Sequence, residues 1–101
     1  MRSHYSGQID RSLIGKELAV AGWLHRRRDH GGVIFVDLRD REGLLQIVFD
    51  PDDPEMFAQA ERLRGEYVIA VQGVLRVRPE GTINPELPTG EFELVAKELM
   101  V

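Results

Sequence analysis

The sequence predicts an all-β fold, a barrel of five strands with one α-helix between the third and fourth strands. Five segments alternate between apolar and polar residues with the period of two that is typical of β-strands. Short clusters that contain glycine, proline or aspartate separate these segments, as turns do between strands. Apolar residues follow a helical spacing in one segment, which begins directly after a run of aspartate and proline.

The first three strands are predicted at about 17–28, 33–40 and 44–49. Gly22 lies in the middle of the first strand and predicts a bend or a bulge there. A turn over residues 29–32 connects the first two strands, and a tight turn over 41–43 connects the second and third. The core side chains of the second and third strands are expected to be Ile34, Val36, Leu38, Leu45, Ile47 and Phe49.

The helix is predicted at about 54–65. The run of aspartate and proline over 50–54 ends the sheet and caps this helix. Its apolar stripe consists of Phe57, Ala60 and Leu63. The remaining elements are a fourth strand at 67–78, a loop rich in glycine and proline at 79–90, and a fifth strand at about 91–99.

The last two strands place charge beside the loop that connects them. Alternation along the fourth strand puts Arg76 and Arg78 on its polar face, and we expect both to emerge at one rim. In the fifth strand, Glu91 and Glu93 are expected to face outward.

This order of elements is that of the OB-fold, a five-stranded Greek-key barrel. The chain has 101 residues, enough for one such domain, and we assign residues 1–101 to it. OB-folds bind oligonucleotides on the face of strands two and three and on the neighbouring loops.

The composition is that of an ordinary globular protein, with 43% hydrophobic and 30% charged residues. No apolar run is long enough to span a bilayer, and the first residues contain no apolar segment typical of secretion. The absence of cysteine excludes disulfides and thiolate sites within this sequence. We therefore expect a cytoplasmic protein that does not bind membranes.

The charge is unevenly distributed along the chain. A net charge of −4 argues against a protein that coats nucleic acid non-specifically. Eleven of the thirteen basic residues are arginine, whose flat guanidinium stacks on bases and pairs with phosphate. Seven of them occur near the predicted binding face: Arg26, Arg27, Arg28, Arg39, Arg41, Arg76 and Arg78. This pattern indicates a basic recognition face, and the alternative is a solvated charged surface.

Phe35 is the most informative single position. It shares a strand face with Asp37 and Arg39, opposite the core side chains. An aromatic ring on a polar face, shortly after three arginines, is what stacking on an unpaired base requires. The alternative is that Phe35 lies under a loop or a helix. The other candidate residues on or beside this face are Arg28, Gln46, Arg78 and Glu93.

No catalytic or metal site is predicted. His25 and His30 flank Asp29, but this spacing does not bring three metal ligands together. The glycines follow no phosphate-binding motif, and no Ser-His-Asp arrangement is indicated.

Two blocks of sequence, 22–35 (GWLHRRRDHGGVIF) and 37–43 (DLRDREG), closely resemble the N-terminal anticodon-binding domain of bacterial aspartyl-tRNA synthetases. The resemblance continues through 46–51, 78–81 and 90–93, and so covers nearly the whole chain. In that family, the anticodon bases are splayed open on the barrel. The asparaginyl and lysyl enzymes use related barrels, but the similarity to the aspartyl type is closer.

The resemblance implies a role for each candidate. Phe35 would stack on the central uridine, and Gln46 would hydrogen-bond its edge. Arg28 would contact the third base, a cytosine, and Glu93 the first base, a guanine or its modified form. Each role fits the chemistry of the side chain.

Four further residues are implied by the same resemblance. Arg78 and Asn84 would hold the neighbouring backbone or bases. His30 and Gly81 resemble the non-discriminating form of the family, which accepts both tRNA(Asp) and tRNA(Asn). The anticodons of these two tRNAs differ only at the third base.

The class II catalytic domain of the synthetases does not occur in this sequence, so we expect no ligase activity from these residues alone. ATP and Mg²⁺ would be needed only with that domain, and no cofactor is predicted here. Ser6 and Ala21 stand where members of the family often have cysteine. The parent family is homodimeric, but the sequence leaves the oligomeric state open.

Two other functions fit the same fold. One is a protein-binding module, natural or engineered, because an arginine-rich and aromatic face also suits protein partners. The other is a generic single-strand binder, which would need more than one stacking aromatic. Salt dependence distinguishes a nucleic acid from a protein partner, because phosphate contacts weaken steeply with salt.

Overall fold

A computed structural model describes residues 3–65, 67–79, 81–87 and 89–101. Its strands are β1 (Glu17–His30), β2 (Val33–Asp40), β3 (Gly43–Phe49), β4 (Val68–Val77) and β5 (Phe92–Met100). One helix, α1 (Pro54–Glu61), lies between β3 and β4, and two 3₁₀ turns, Ser6–Gln8 and Arg11–Leu13, precede β1. The strands form a closed barrel in the order β1-β2-β3-β5-β4. The prediction of an all-β barrel with one α-helix between the third and fourth strands is confirmed.

Neighbouring strands pair antiparallel except for β3 and β5, which are parallel. The six core side chains predicted for β2 and β3 are all buried. They pack against apolar residues of β1, β4 and β5 inside the barrel. The opposite side chains of β2 and β3 therefore lie on the outer face of the barrel, where the candidate site was predicted.

The hairpin between β1 and β2 is tighter than predicted. Asp29 and His30 continue β1 and pair with Ile34 and Val33, so the predicted turn over 29–32 is wrong in its first half. Gly31 and Gly32 alone form the loop, with φ values of 61° and 80°. Two consecutive positive φ values define the turn that matches the twist of a hairpin. His30 is therefore held at a strand end.

The bulge predicted at Gly22 lies further along β1. The pairing of β1 with β2 shifts register between Leu24 and Arg26. Gly22 itself marks a close approach of two strands, because a Cβ there would lie 2.2 Å from the carbonyl oxygen of Arg39.

The helix is shorter than the predicted 54–65. Asp53 caps its N-terminus, and the Asp53 carboxylate accepts a hydrogen bond from the Met56 amide at 3.2 Å. The chain leaves the helix after Glu61, yet Leu63 is still buried in the core. The strand ends differ from the prediction by one residue at β3, β4 and β5. Glu80 and Pro88, within the predicted loop 79–90, lie outside the described residues.

Arg27 binds the C-terminal end of α1. Its Nη1 donates to the carbonyl oxygens of Ala60, Glu61 and Leu63, at 3.2, 2.6 and 3.3 Å. The Ala60 carbonyl also accepts from the Leu63 amide at 3.1 Å, but the last carbonyls of a helix lack a full set of intrahelical partners, and a cation there is favourable. Arg27 therefore stabilises the end of α1, and its assignment to a basic recognition face is wrong.

Asp40 fixes the N-terminal segment to the turn between β2 and β3. Its carboxylate accepts hydrogen bonds from the amide and hydroxyl of Ser6, at 2.7 and 2.8 Å. It also accepts from the amides of Glu42 and Gly43, at 2.8 and 3.1 Å. Burial raises the pKa of Asp40, but the hydrogen bonds outweigh burial and leave the pKa below its ordinary value.

No helix in the described part of the chain is long and apolar enough to cross a membrane.

Candidate nucleic-acid interface

A cleft of about 590 Å³ lies on the outer face of the barrel, where the β1–β2 hairpin meets β3 and the loop after β4. Five of the eight predicted site residues line it: Arg28, His30, Phe35, Gln46 and Arg78. Asp29 and Thr82 complete the lining. A smaller cleft of about 140 Å³ shares Phe35 and Gln46 with the first and contains Glu93. The structure thus brings six of the eight residues to two adjoining clefts.

Four polar side chains form a continuous row around this face. Asp37 is paired with Gln46, Gln46 with Glu93, and Glu93 with Arg76, on the neighbouring strands β2, β3, β5 and β4. We call these four residues the polar row. Gln46 Nε2 donates to Glu93 Oε1 at 2.9 Å, and Arg76 Nε donates to Glu93 Oε2 at 2.6 Å. Both oxygens of the Glu93 carboxylate are therefore engaged.

Arg28 of β1 contacts two members of the polar row, Asp37 and Gln46. Its Nη2 donates to Asp37 Oδ1 at 3.0 Å and to Gln46 Oε1 at 2.9 Å. The Gln46 amide thus turns its oxygen to a guanidinium and its nitrogen to a carboxylate. Each contact favours the same orientation of the amide, because only the oxygen accepts and only the nitrogen donates.

Glu93 faces outward as predicted but is not exposed. Only 1% of its surface is accessible, since Gln46 and Arg76 cover it from both sides. A buried carboxylate is tolerated only when it is paired and hydrogen-bonded, which is the case here. Each carboxylate oxygen can accept more than one hydrogen bond, so Glu93 can also bind a donor that enters the smaller cleft.

Phe35 is half-buried, and its ring lines both clefts. The Arg28 guanidinium carbon lies 5.9 Å from the centre of the ring. Arg28 Nε is buried and has no hydrogen-bond partner among the described residues. A flat apolar surface and a row of hydrogen-bonding groups therefore meet in one place.

Arg78 does not emerge at an exposed rim, and that part of the prediction is wrong. It is 6% exposed, and its Nε donates to the carbonyl oxygen of Phe92 at 2.9 Å. Burial lowers the pKa of Arg78, and the nearby Glu93 carboxylate partly offsets this. Arg76, which was predicted to emerge at the same rim, is exposed. Arg78 therefore binds the start of β5 through Phe92, and its accessible surface lines the larger cleft.

Asn84 and Gly81 do not line either cleft. The Asn84 side-chain oxygen accepts from the Glu86 amide at 3.0 Å and so shapes the loop before β5. Gly81 has a φ of 86°, and a Cβ there would meet no atom within 4 Å. Glycine is needed at position 81 by the backbone conformation and not by lack of space.

Asp37 and Thr82 belong to the site but were not among the predicted candidates, and Arg76 was predicted only as part of the basic face. Strand alternation had placed Asp37 and Arg76 on the correct faces. Their contacts depend on the register of β2 with β3 and of β4 with β5, which alternation alone does not give. No signal in the sequence singles out Thr82. Among the described residues, no group of three or more histidine, aspartate or glutamate side chains is arranged to hold a metal ion.

Residues 18–101 match the profile of the tRNA anti-codon family, which is described as an OB-fold nucleic acid binding domain. The chain belongs to this family. The resemblance to the anticodon-binding domain of aspartyl-tRNA synthetases, stated from the motifs at 22–35 and 37–43, is confirmed.

The chain is 64% identical over 100 residues to the aspartate–tRNA(Asp/Asn) ligase of Endomicrobium trichonymphae. The alignment covers 99% of the chain but 17% of that ligase. Among solved structures, the asparaginyl-tRNA synthetase of Pyrococcus horikoshii is 27% identical, with a TM-score of 0.83, and the match covers 100% of this chain and 23% of that one. The OBody AM3L15, solved bound to hen egg-white lysozyme, is 22% identical with a TM-score of 0.85 over 100% of this chain and 94% of its own, and shows the shared fold.

Proposed function

We propose that this anticodon-binding domain holds the anticodon loop of tRNA(Asp), and also that of tRNA(Asn), with the bases splayed over the outer face of β1, β2 and β3. The main support for the proposal is that the Phe35 ring lies beside the polar row, where the two adjoining clefts meet. A ring beside fixed hydrogen-bonding groups is how proteins bind unpaired bases with sequence preference.

The central base is assigned to Phe35 and Gln46. The ring stacks on the base, and the Gln46 amide offers both a donor and an acceptor to its edge. Uracil presents an acceptor beside a donor, which is the complement of an amide in one orientation. The contacts of Gln46 with Arg28 and Glu93 favour a single orientation and so support this assignment.

The outer bases are assigned to the two neighbours of Gln46. Arg28 donates to the acceptors of the third base, cytosine, and Glu93 accepts from the N–H groups of the first base, guanine. Arg78 supplies a positive charge at the base of the cleft, for the sugar–phosphate backbone or a neighbouring base. The Asn84 side chain already bonds the Glu86 amide, so its part is to shape the loop that borders the site.

Replacing Phe35 with alanine is expected to weaken binding of an anticodon stem-loop by about 1–3 kcal/mol, because a stacking surface is lost. Phe35→Leu is the matched control for packing, since it keeps apolar bulk without an aromatic face. Affinity is measured by titration with labelled RNA, and stability by urea unfolding. If Phe35→Ala lowers the free energy of unfolding strongly and leaves the affinity unchanged, the ring serves the core and not the RNA.

The stem-loops of tRNA(Asp) and tRNA(Asn) are expected to bind with less than about a tenfold difference. A contact that truly distinguishes one base costs about 1–3 kcal/mol when the base is wrong, by analogy with DNA recognition. His30 is exposed at the cleft and can donate or accept, and Gly81 adds no side chain, so neither imposes cytosine. Both RNAs are titrated side by side at two salt concentrations.

A preference of a hundredfold or more for the aspartate loop would contradict recognition of both tRNAs and leave anticodon binding intact. Weak binding that does not depend on salt would contradict RNA binding itself and favour a protein partner.

The rest of the proposal concerns a longer protein. The chain spans 17% of the ligase that it resembles. We propose that it serves a cytoplasmic, homodimeric aspartate–tRNA ligase, whose catalytic domain binds ATP and Mg²⁺ outside these residues.

A further inference from the structure

We propose a second RNA-contact surface along the outer face of β1 and β2, which holds the sugar–phosphate backbone and one unpaired base next to the anticodon triplet. The proposal rests on the proposed function and extends it beyond the two clefts. We call the surface the β1–β2 track and define it by Trp23, Arg26, Arg39 and Arg41.

The bulge in β1 builds this track. Arg28 is paired with Phe35, Arg26 with Asp37, and Trp23 with Arg39. Trp23 and Arg26 would lie on opposite faces of a regular strand, since they are three residues apart. The register shift between Leu24 and Arg26 reverses the alternation and brings both to the outer face. The track is therefore continuous with the larger cleft.

The track carries positive charge that is not neutralised. Arg26 is exposed and Arg39 is half-buried, and neither has an ion-pair partner among the described residues. Asp37 is the cross-strand neighbour of Arg26, but its carboxylate is already bonded to Arg28 at 3.0 Å. Arg41 continues the line beyond β2, and its guanidinium stacks on the Tyr5 ring at 4.3 Å. From Phe35 to Arg39 the strand rises by roughly 13 Å, enough for more than one nucleotide.

Trp23 supplies a surface for a base. It is 39% exposed and is paired directly with Arg39. An exposed indole beside an unpaired guanidinium suits the face of a base and its phosphate. OB-folds contact about 4–16 nucleotides of a single strand, which is more than an anticodon triplet. A tryptophan and arginines also suit a protein partner, but continuity with the cleft and the guanidinium groups of Arg26 and Arg39, which have no ion-pair partner among the described residues, favour RNA.

Trp23 is the single tryptophan of the chain, so its fluorescence reports on this surface directly. The domain is titrated with the anticodon stem-loop and, separately, with the anticodon trinucleotide at saturating concentration. The stem-loop is expected to shield Trp23 from acrylamide quenching, whereas the trinucleotide, which reaches only the clefts, leaves the quenching unchanged.

Arg39→Gln provides the second readout. It is expected to weaken stem-loop binding about threefold to tenfold and to reduce the slope of log K against log [salt] by about 0.7–0.9, as the loss of one phosphate contact does. Discrimination among anticodon variants is unchanged, because Arg39 touches neither cleft. The matched control is Arg62→Gln, an exposed arginine at the end of α1, which is expected to change neither quantity.

The outcomes separate the two proposals. If the stem-loop binds with anticodon preference while Trp23 quenching is unchanged and Arg39→Gln behaves like Arg62→Gln, the track is wrong and the proposed function stands. Shielding of Trp23 that is independent of salt and of Arg39 would show an apolar contact, and would also overturn the track. If neither RNA binds, both proposals fail.

Discussion

Replacing Asp40 with alanine is expected to lower the free energy of unfolding by about 2–4 kcal/mol, because it leaves several donors without a partner. Asp40 is 7% exposed, and its carboxylate accepts from Ser6, Glu42 and Gly43. Asp10→Ala is the matched control, since Asp10 is exposed and caps only a 3₁₀ turn through Ser12. We expect the control to cost less than about 1 kcal/mol. Urea unfolding of the three proteins measures the difference, and equal losses for both variants would contradict the assigned role of Asp40.

The same carboxylate makes stability depend on pH. Its pKa in the folded protein lies below the ordinary value of 3.8, so the unfolded chain binds the proton first as the pH falls. The contribution of Asp40 is therefore complete above the ordinary pKa and is lost as the pH falls through the folded pKa. The difference in unfolding free energy between the wild type and Asp40→Asn is expected to be constant near pH 7 and to shrink below about pH 4. A difference that does not change between pH 7 and pH 3 would show that the charge is unimportant.

Replacing Gln46 with alanine is expected to abolish most discrimination at the central anticodon base, by about 1–3 kcal/mol. The substitution is also expected to weaken discrimination at the first and third anticodon bases. Gln46 bonds both Arg28 and Glu93, so its removal leaves Arg28 held only by Asp37 and Glu93 only by Arg76, and both side chains are less well fixed. Penalties for wrong bases at the first and third positions should therefore shrink as well. Gln72→Ala is the matched control, because Gln72 bonds Glu17 on β1, away from the clefts.

A double-mutant cycle measures this coupling. Arg28→Ala, Glu93→Ala and the double variant are made both in the wild type and in Gln46→Ala. Each protein is titrated with stem-loops that are changed at one base. Non-additivity of about 0.5–3 kcal/mol is expected while Gln46 is present, as for residues in one hydrogen-bonded network. Near-additive effects would show that the three side chains act independently. An equal loss of affinity for every central base in Gln46→Ala would show that Gln46 does not recognise that base.

The barrel was predictable because its strands have one apolar and one polar face. Alternation assigned Ile34 and Val36 to the core and Phe35 to the outer face, and no tertiary information was needed. The end of the helix was not predictable in this way. It is stabilised by Arg27, which contacts the helix from a strand more than 30 residues earlier in the sequence.

Contacts across strands account for the other differences. The three consecutive arginines look alike in the sequence, yet Arg26 is exposed, Arg27 binds helix carbonyls and Arg28 joins the polar row. A single residue without a β2 partner, between Leu24 and Arg26, sets which of them faces outward, and no glycine marks that position in the sequence. Glu93 was assigned to the correct face, but its burial arises from partners on β3 and β4.

The parallel pairing of β3 with β5 has a consequence for the order in which the protein takes shape on the ribosome. Because β5 is inserted between β3 and β4, both of these strands have an open edge until residues 92–100 have been synthesised. Glu93 belongs to this strand, so Gln46 and Arg76 lack their hydrogen bonds to its carboxylate before then. The polar row is thus completed only when β5 closes the barrel, and an incomplete nascent chain lacks the finished candidate interface.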